Sequence, residues 1–423
     1  MKPHQTKDLS HRGHVIRLDP TRKQVQAFVR AAGVARFTYN WALAEWDKQY
    51  KAGGKPNAAK LKKQFNAIKA CQFPWVMESP RDANSQPFTD LGRGFSNFFA
   101  SLKGRRQGRR MGRPVYKRKG EHDSFYVAND QFSIRRRGKR AVVRLPVIGY
   151  VRLREHLRFE GRVLSACVYR KADHWYLAVN VETAVAHQHV HQYDTIGVDL
   201  GLKTAATFSH GAAVVAPKPL QAASRKLRKA NRVLHRRKKG GRNRDKARAV
   251  LARVHVRLAN IRKDFWHKLT TTLCRENQTV VIEDLNMSFM LRNRKLARSA
   301  ADVALGMLRP MLLYKAEAYG TQIVVADKFF PSTQRCASCG STKTGKDKLV
   351  LGESEYVCEE CGVCEDRDLN AALNLEQYPR LAGNWGPAQT PMDDHTSTLR
   401  VKACEASEVA EVGTKPCSLL STD

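Results

Sequence analysis

Residues 195–208 read TIGVDLGLKTAATF, and this stretch decides the fold. It predicts a buried apolar strand that turns at a glycine into a second strand, with an acid, Asp199, inside the first. Burying a carboxylate is costly unless it is paired or holds a cation. A single acid of this kind is most simply a cap or a salt-bridge partner, so it indicates a site only if other acids recur in the same setting.

Two further acidic positions do recur in that setting. Residues 280–285 read VVIEDL, so Glu283 ends a strongly apolar strand, and the pair Asp366 and Asp368 opens a short helix. The predicted elements run strand, strand, strand, helical segment, strand, helix (298–319), strand, closing helix, which is the order of an RNase H-type α/β fold. Three carboxylate positions from two strands and a helix suit a two-metal phosphodiesterase, which holds two Mg²⁺ ions about 3.5–4 Å apart.

The charge of the chain indicates an anionic partner. Its 423 residues include 75 Lys and Arg against 39 Asp and Glu, a formal net charge of +36. Residues 221–263 hold 17 basic residues and one acid, with apolar residues at helical intervals on both sides of Gly240 and Gly241, which predicts a basic helical hairpin. An ordinary solvated helix is the alternative, but such helices interleave Glu with Lys. The predicted phosphate contacts are Arg225, Lys226, Arg228, Lys229, Arg232, Arg236, Arg237 and Lys238.

Two other basic segments extend this prediction. Residues 102–120 hold nine basic residues and no acid, spaced by glycines, and predict a flexible basic loop. Residues 135–140 hold a third patch between two strand-like runs, which predicts a hairpin tip. Three separated patches suit an extended polyanion better than a small ligand, so the expected partner is nucleic acid. In the loop, the expected contacts are Arg105, Arg106, Arg109 and Arg110.

The cysteines predict one structural zinc ion. Cys336 and Cys339 form one C-x2-C pair and, after eighteen residues, Cys358 and Cys361 form a second, which is the pattern of a four-thiolate zinc ribbon. Cys364 offers a competing pair with Cys361, but only Cys339 and Cys361 precede a glycine, so Cys364 is expected to be a spare thiol. Clustered rather than dispersed cysteines indicate metal binding in a reducing compartment.

The two ends of the chain differ from this central part. Residues 14–19 predict a short strand, and residues 24–49, 61–68 and 89–102 carry apolar residues at helical spacing. Residues 124–182 alternate as strands do, so a β domain is expected to interrupt a helical one. The polar start and the lack of a long apolar run predict a protein that is neither secreted nor membrane-spanning. From residue 376 onward there are seven acids and four bases without periodicity, which predicts a disordered tail.

The motifs around the acids resemble a known family. They are similar to the three split RuvC motifs of the TnpB family, the transposon-encoded RNA-guided nucleases related to compact type V CRISPR effectors. The resemblance implies that Asp199, Glu283 and Asp368 bind the catalytic metal, whereas Asp284 and Asp366 are structural. The matching stretches are DLGLK at 199–203, IEDLN at 282–286 and DRDLNAA at 366–372.

The resemblance covers most of residues 12–376 and implies a multidomain α/β protein. Its core is an RNase H-like (RuvC) nuclease domain with a four-cysteine zinc-ribbon insert, preceded by a β-barrel-like wedge domain with a helical recognition insert. The implied divisions are 1–20 and 103–190 for the β-rich wedge domain, 21–102 for the recognition insert, 191–331 and 365–377 for the RuvC domain, 332–364 for the zinc ribbon and 378–423 for the acidic tail.

The implied function is RNA-guided DNA cleavage. The protein would be a monomer in a ribonucleoprotein, where it would bind a structured guide RNA and read a short motif beside the double-stranded target. It would cut displaced single-stranded DNA with two Mg²⁺ ions. The implied location is a prokaryotic cytoplasm, in association with the nucleoid. Asn84 and Gln86 are candidate readers of that motif, although a helix cap is the preferred interpretation of both.

Four alternatives are weighed against this function. A nuclease-inactive RNA-guided transcriptional repressor is expected to have lost an acid, and this chain keeps all three. A plain RNA-binding factor leaves the acids unexplained, and a transposase acting without RNA leaves the basic hairpin and the β domain unexplained. A compact type V CRISPR effector is not distinguished from a transposon-borne nuclease by the chain itself.

Overall fold

The computed structural model divides into two compact units, with the division after Ala184. The tail predicted from residue 378 onward begins inside the last helix, and its residues 382–423 lie outside the described part, as do Lys139 of the third basic patch and Asn286 of the second acidic motif. The residues described are 9–106, 108–138, 140–184, 189–285, 287–350 and 352–381.

An antiparallel sheet of seven strands forms the framework of the first unit. The strands are β1 (Leu9–Asp19), β2 (Ser124–Ala128), β3 (Ser133–Arg137), β4 (Arg140–Leu145), β5 (Gly149–Leu153), β6 (Arg162–Lys171) and β7 (His174–Ala184). Their order is β2-β6-β7-β1-β5-β4-β3. Strand β1 pairs with β7 through Arg17 and with β5 at Leu18 and Asp19, so it joins the two halves of the sheet. The predicted hairpin of the third basic patch is confirmed as β3 and β4.

This unit also contains three helices, α1 (Arg22–Lys51), α2 (Ala58–Gln72) and α3 (Arg81–Leu102). Helices α1 and α3 contact β2, and α2 packs against α1 and α3. Helix α1 begins with a capping box, in which Thr21 Oγ1 accepts from the Gln24 amide and Gln24 Oε1 accepts from the Thr21 amide, an arrangement that stabilises a helix start by about 1 kcal/mol. The ring of Phe28 lies 5.1 Å from Trp175 and 6.0 Å from Phe125. Phe28 of α1 therefore lies in the core of this unit.

The second unit contains the predicted RNase H-type sheet. Its strands are β8 (Tyr193–Asp199), β9 (Ala206–Phe208), β10 (Ala213–Val214), β11 (Asn277–Glu283) and β12 (Gln322–Ala326). The order β10-β9-β8-β11-β12, with β8, β11 and β12 parallel and the others antiparallel, confirms the fold expected from the sequence. Because Val198 pairs with Ile282, Asp199 and Glu283 lie at the same edge of the sheet.

The helices of this unit confirm the basic hairpin and correct one prediction. The helix expected over 298–319 is interrupted, because Ala304 has a left-handed backbone (φ +57°) and the indole of Trp266 donates to the Val303 carbonyl at 2.8 Å. The helices are α4 (Pro219–Arg236), α5 (Arg242–Glu276), α6 (Met287–Arg292), α7 (Ala297–Val303), α8 (Leu308–Tyr319) and α9 (Arg367–Leu381).

Helices cover both faces of the sheet. Trp266 of α5 and Leu312 of α8 are buried against one face, and Leu375 and Tyr378 of α9 are buried against the other. Helix α9 approaches β8 so closely that a Cβ atom on Gly197 would lie 1.9 Å from the Ala372 carbonyl oxygen. Only glycine permits this approach, which brings the start of α9 to the acidic edge of the sheet.

A small ribbon precedes α9. It contains strands β13 (Glu355–Val357) and β14 (Cys364–Asp366), which pair antiparallel. Among the helices that the structure describes, none combines the length and apolar character needed to cross a membrane.

Candidate metal centres and basic surface

Three carboxylates form one electrostatic cluster at the sheet edge, here called the acid centre (Asp199, Glu283 and Asp368). Asp199 ends β8 and is 8 % exposed, Glu283 ends β11, and Asp368 lies in the first turn of α9. Burial and the charges of Glu283 and Asp368 raise the pKa of Asp199 to about 8. Burial and the charge of Asp368 also raise the pKa of Glu283. The predicted acids are therefore close enough to repel one another.

Two of the acids also have a side-chain partner. The Ser332 hydroxyl donates to Glu283 Oε1, and the Arg367 guanidinium lies 3.2 Å from Asp368 Oδ1. In the described part of the chain, only the cysteine cluster has ligand atoms already gathered to within 4.8 Å of one another. The acid centre supplies oxygen donors, which suit Mg²⁺, and its mutual repulsion is what a divalent cation relieves.

The two neighbouring acids have structural partners. Asp366 Oδ1 accepts from the backbone amides of Asp368 and Leu369 at 2.9 and 3.0 Å, so it caps the start of α9. Asp284 is half exposed and pairs with Arg309 at 3.0 Å. Neither contact directs these side chains toward the acid centre.

The four predicted cysteines come together as one cluster. The sulfurs of Cys336 and Cys361 lie 3.7 Å apart and those of Cys339 and Cys358 lie 3.6 Å apart, close to the edge of about 3.8 Å of a tetrahedron with Zn–S bonds of about 2.3 Å. The cluster therefore fits a zinc ion. Cys364 is exposed on β14 and lies outside the cluster.

Two short turns shape this cluster. The Gly340 amide donates to the Cys336 carbonyl and the Gly362 amide to the Cys358 carbonyl, at 3.0 and 2.9 Å. Both glycines have positive φ, +80° and +74°, a conformation that other residues adopt at a cost. Donation from the Cys361 backbone lowers the pKa of the Cys358 thiol to about 7, whereas contact with the Cys358 sulfur raises the pKa of the Cys361 thiol to about 12.

Three buried polar side chains beside the acid centre do not stand out as site residues in the sequence. Ser332 contacts Glu283, while Asn370 and Asn374 of α9 hydrogen-bond the backbone of the zinc ribbon. Both asparagines are fully buried. One feature of the sequence indicates their role: the two asparagines lie four residues apart in the apolar run LNAALNL. Buried side-chain amides are normally hydrogen-bonded, so partners are expected for both.

The basic hairpin (residues 221–263) is anchored at its base and exposed along α4. The carboxylate of Asp302 accepts from the amides of Leu220 and Gln221 at 2.8 and 2.9 Å and lies 3.4 Å from Arg262. Leu227 packs with Val254 between the two arms. All eight predicted phosphate contacts are exposed: Arg225, Lys226, Arg228, Lys229, Arg232, Arg236, Arg237 and Lys238.

The predicted residues of the first unit vary in exposure. Arg105, Arg109 and Arg110 are exposed, and Arg106 is partly buried with its guanidinium donating to the Arg109 carbonyl at 3.0 Å. Asn84 is only 4 % exposed, so the structure does not present it to a nucleic acid.

Gln86, the other candidate reader in α3, is partly buried and donates to Asp90 at 3.0 Å. Neither it nor Asn84 is a helix cap, because α3 begins at Arg81.

Three family models match the chain. The IS605 OrfB model, described as a probable transposase, matches residues 177–294, and the Cas12f1-like TNB domain matches residues 306–375. A model described as a helix-turn-helix domain matches residues 10–55, which here form strand β1 and the single helix α1. The first match includes Asp199 and Glu283 of the acid centre, and the second includes the zinc ribbon and Asp368.

Relatives match along nearly the whole chain. A protein of Streptomyces pristinaespiralis, named as a candidate RNA-guided DNA endonuclease, is 32% identical over 95% of this chain and 98% of the relative. InsQ of Escherichia coli K12, named in the same way, is 29% identical over 85% of this chain and 90% of the relative. The protein of a Cas12f1–sgRNA–target DNA complex shares the fold, with a TM-score of 0.52, 15% identity and coverage of 84% of this chain and 82% of that one.

Proposed function

Because the chain belongs to the IS605 OrfB (TnpB) family, we propose that it is an RNA-guided DNA endonuclease. The observation that carries the proposal is the acid centre, in which carboxylates from β8, β11 and α9 converge at one edge of an RNase H-type sheet and raise the pKa of Asp199. The full-length similarity to relatives named as RNA-guided DNA endonucleases supports the same activity.

Asp199, Glu283 and Asp368 would hold two Mg²⁺ ions. When bound, such ions ready the attacking water and stabilise the leaving oxygen. The residues around the acids prepare this site: Ser332 fixes one oxygen of Glu283, and Arg367 offsets part of the negative charge at Asp368. The RuvC domain containing this centre is proposed to span 191–331 and 365–377.

The basic surfaces would bind the nucleic acids. Guide RNA is assigned to the exposed cations of α4, such as Arg228 and Lys229, and to the loop containing Arg105 and Arg109. Guide pairing would select the double-stranded target, and the displaced single strand would reach the acid centre. A monomeric protein in a ribonucleoprotein would work on nucleoid DNA.

A protein contact to a short motif beside the target is also proposed, within the helical segment 21–102 that interrupts the β-rich wedge domain of residues 1–20 and 103–190. Of the two candidate readers, Gln86 offers some exposed surface, whereas Asn84 is buried. Gln86 would have to release Asp90 to contact a base.

Zinc would have a structural role in the ribbon of residues 332–364. All four positions of a tetrahedral ion are taken by Cys336, Cys339, Cys358 and Cys361, so no position remains for a water or a substrate. The hydrolytic metal is therefore assigned to the acid centre alone.

A second candidate function is RNA-guided DNA binding without cleavage. Retention of all three acids favours the nuclease. A compact type V CRISPR effector is a variant of the proposed function. The genomic neighbourhood distinguishes the two: transposon ends beside the gene indicate a transposon-borne nuclease, and a repeat array indicates a CRISPR effector.

The test is to purify the protein from cells carrying its native flanking DNA, sequence the RNA that copurifies, and challenge the complex with a matched plasmid library in Mg²⁺. Wild type and Asp284→Ala should cut, and Asp199→Ala should not. Bound RNA and target binding without cutting by wild type would instead make the protein a repressor-like binder. Absence of a discrete RNA would overturn RNA guidance.

A further inference from the structure

We propose that Ser332, in the loop that enters the zinc ribbon, is a positioning residue for Glu283 and so sets the metal affinity of the acid centre. This inference rests on the proposed function, because it assumes that Glu283 is a metal ligand. It assigns to the ribbon a second task besides holding zinc, namely to fix one carboxylate of the acid centre from outside the sheet.

The first observation is the contact itself. Ser332 is 3 % exposed, and its hydroxyl donates to Glu283 Oε1 across 49 residues of sequence. The bond occupies one oxygen and holds the plane of the carboxylate, which leaves Oε2 for a cation. A glutamate has three rotatable side-chain bonds, so a fixed partner lowers the entropy lost when the ion binds.

The second observation is that Ser332 is itself held firmly. Its amide donates to the Phe330 carbonyl at 2.9 Å, and the Phe330 ring is buried 4.8 Å from the ring of Tyr378 on α9. Asn374 Nδ2 donates to the Ser332 carbonyl at 2.9 Å. The hydroxyl therefore approaches Glu283 from a backbone that α9 fixes on both sides.

The third observation connects this backbone to the zinc site. Asn374 Nδ2 also donates to the Arg335 carbonyl at 2.6 Å, and its Oδ1 accepts from the Arg335 guanidinium at 2.8 Å. Asn370 donates to the same carbonyl at 2.7 Å and accepts from the Ala337 amide at 2.9 Å.

Cys336 lies between Arg335 and Ala337, the two residues whose backbones these asparagines contact. Helix α9, which carries Asp368 in its first turn, thus contacts both the first zinc knuckle and Ser332, so two of the three acids share one support.

The experiment compares Ser332→Ala, which removes the donor, with Ser332→Thr, which keeps it, and with Ser338→Ala, an exposed serine between Cys336 and Cys339. Mn²⁺ binding to the purified full-length complex is followed by electron paramagnetic resonance. Ser332→Ala should weaken Mn²⁺ binding about tenfold, the lower range for a partner of a metal ligand. Ser332→Thr should restore most of the affinity, and Ser338→Ala should match wild type.

Zinc content and target binding verify that each variant is folded. Unchanged Mn²⁺ affinity in Ser332→Ala would overturn the positioning role, and so would an equal loss in Ser332→Thr and Ser332→Ala with zinc retained. If wild type binds Mn²⁺ but cuts no DNA, the proposed function fails while the comparison among the serine variants still stands. The two failures are therefore distinguishable.

Discussion

The acid centre and the basic hairpin lie in the same unit and differ in construction. The acid centre takes its side chains from β8, β11 and α9, which are far apart in sequence, and it buries Asp199 and partly buries Glu283. The basic hairpin takes its cations from one continuous segment and exposes them on α4. In the first region single oxygens of Glu283 and Asp368 have defined partners, and in the second the charges are repeated along a surface.

This difference indicates how each region fails. A site of a few buried atoms with individual partners loses its function when one atom changes, and salt affects it little because the charges are buried. A surface of repeated cations loses affinity in small steps and depends strongly on salt.

The largest effect is expected from a comparison of Asp366 and Asp368, two residues apart at the start of α9. Asp368→Asn should slow cleavage by at least about a thousandfold, because an amide is a poor ligand for Mg²⁺ and removes one charge from the centre. Asp366→Ala should keep most of the activity and lose about 1 kcal/mol of unfolding free energy, because that carboxylate caps the helix. Cleavage rates and chemical denaturation of both variants provide the measurements; a reversed pattern would exchange the two roles.

The second-largest effect is expected from a substitution of Gly197, which lies in β8 two residues before Asp199. Gly197→Ala should lower the unfolding free energy by at least about 4 kcal/mol, because the new methyl group overlaps the Ala372 carbonyl and forces α9 away from β8. Gly306→Ala is the matched control, since nothing lies within 4 Å of its Cβ position. Thermal denaturation compares them. Equal melting temperatures would mean that α9 does not depend on this close approach.

The sequence predicts the parts of the molecule that local patterns specify. The individual strands follow from apolar runs and the turn at Gly201, the cysteine cluster from cysteine spacing, and the basic hairpin from charge and helical periodicity. Each of these features is encoded within a short segment, so pattern and composition are sufficient.

The parts that sequence patterns miss depend on distant partners. The break before α8 requires the indole of Trp266 at the Val303 carbonyl, and the support of Glu283 requires Ser332, 49 residues away. Asn374 reaches the Ser332 carbonyl across 42 residues. Such pairs become visible only when the fold has placed them together.

A smaller effect is expected from a buried cation, which extends the comparison to single charges. Lys315 of α8 donates to the Thr270 and Thr271 hydroxyls, each at 2.7 Å, and to the His267 carbonyl at 2.5 Å, all on α5. Burial lowers its pKa to about 8 from 10.5. Between these values the unfolded chain binds more protons than the folded one, so stability rises with pH.

The window from pH 8 to 9 tests this group, because comparison with Lys315→Met cancels the contribution of other groups that titrate there, such as Asp199. Above pH 9 the thiol of Cys274, whose pKa burial raises to about 11, acts in the opposite direction. From pH 8 to 9 wild type should gain about 1 kcal/mol of unfolding free energy relative to Lys315→Met. Denaturant titrations at the two pH values measure the difference, and parallel pH profiles for the two proteins would show that Lys315 keeps an ordinary pKa.

The smallest effect is expected where charges are repeated. Arg228→Ala should weaken RNA binding by only about threefold at low salt, because neighbouring cations still face the polyanion, and should reduce the slope of log affinity against log salt by about 1. Lys268→Ala is the control: this lysine is exposed on α5 but is neutralised by Asp264 at 2.8 Å, so its slope should match wild type. Filter binding across a salt series measures both. A loss above about tenfold that persists at high salt would mean that Arg228 makes one specific, enclosed contact, and the basic hairpin would then resemble the acid centre rather than contrast with it.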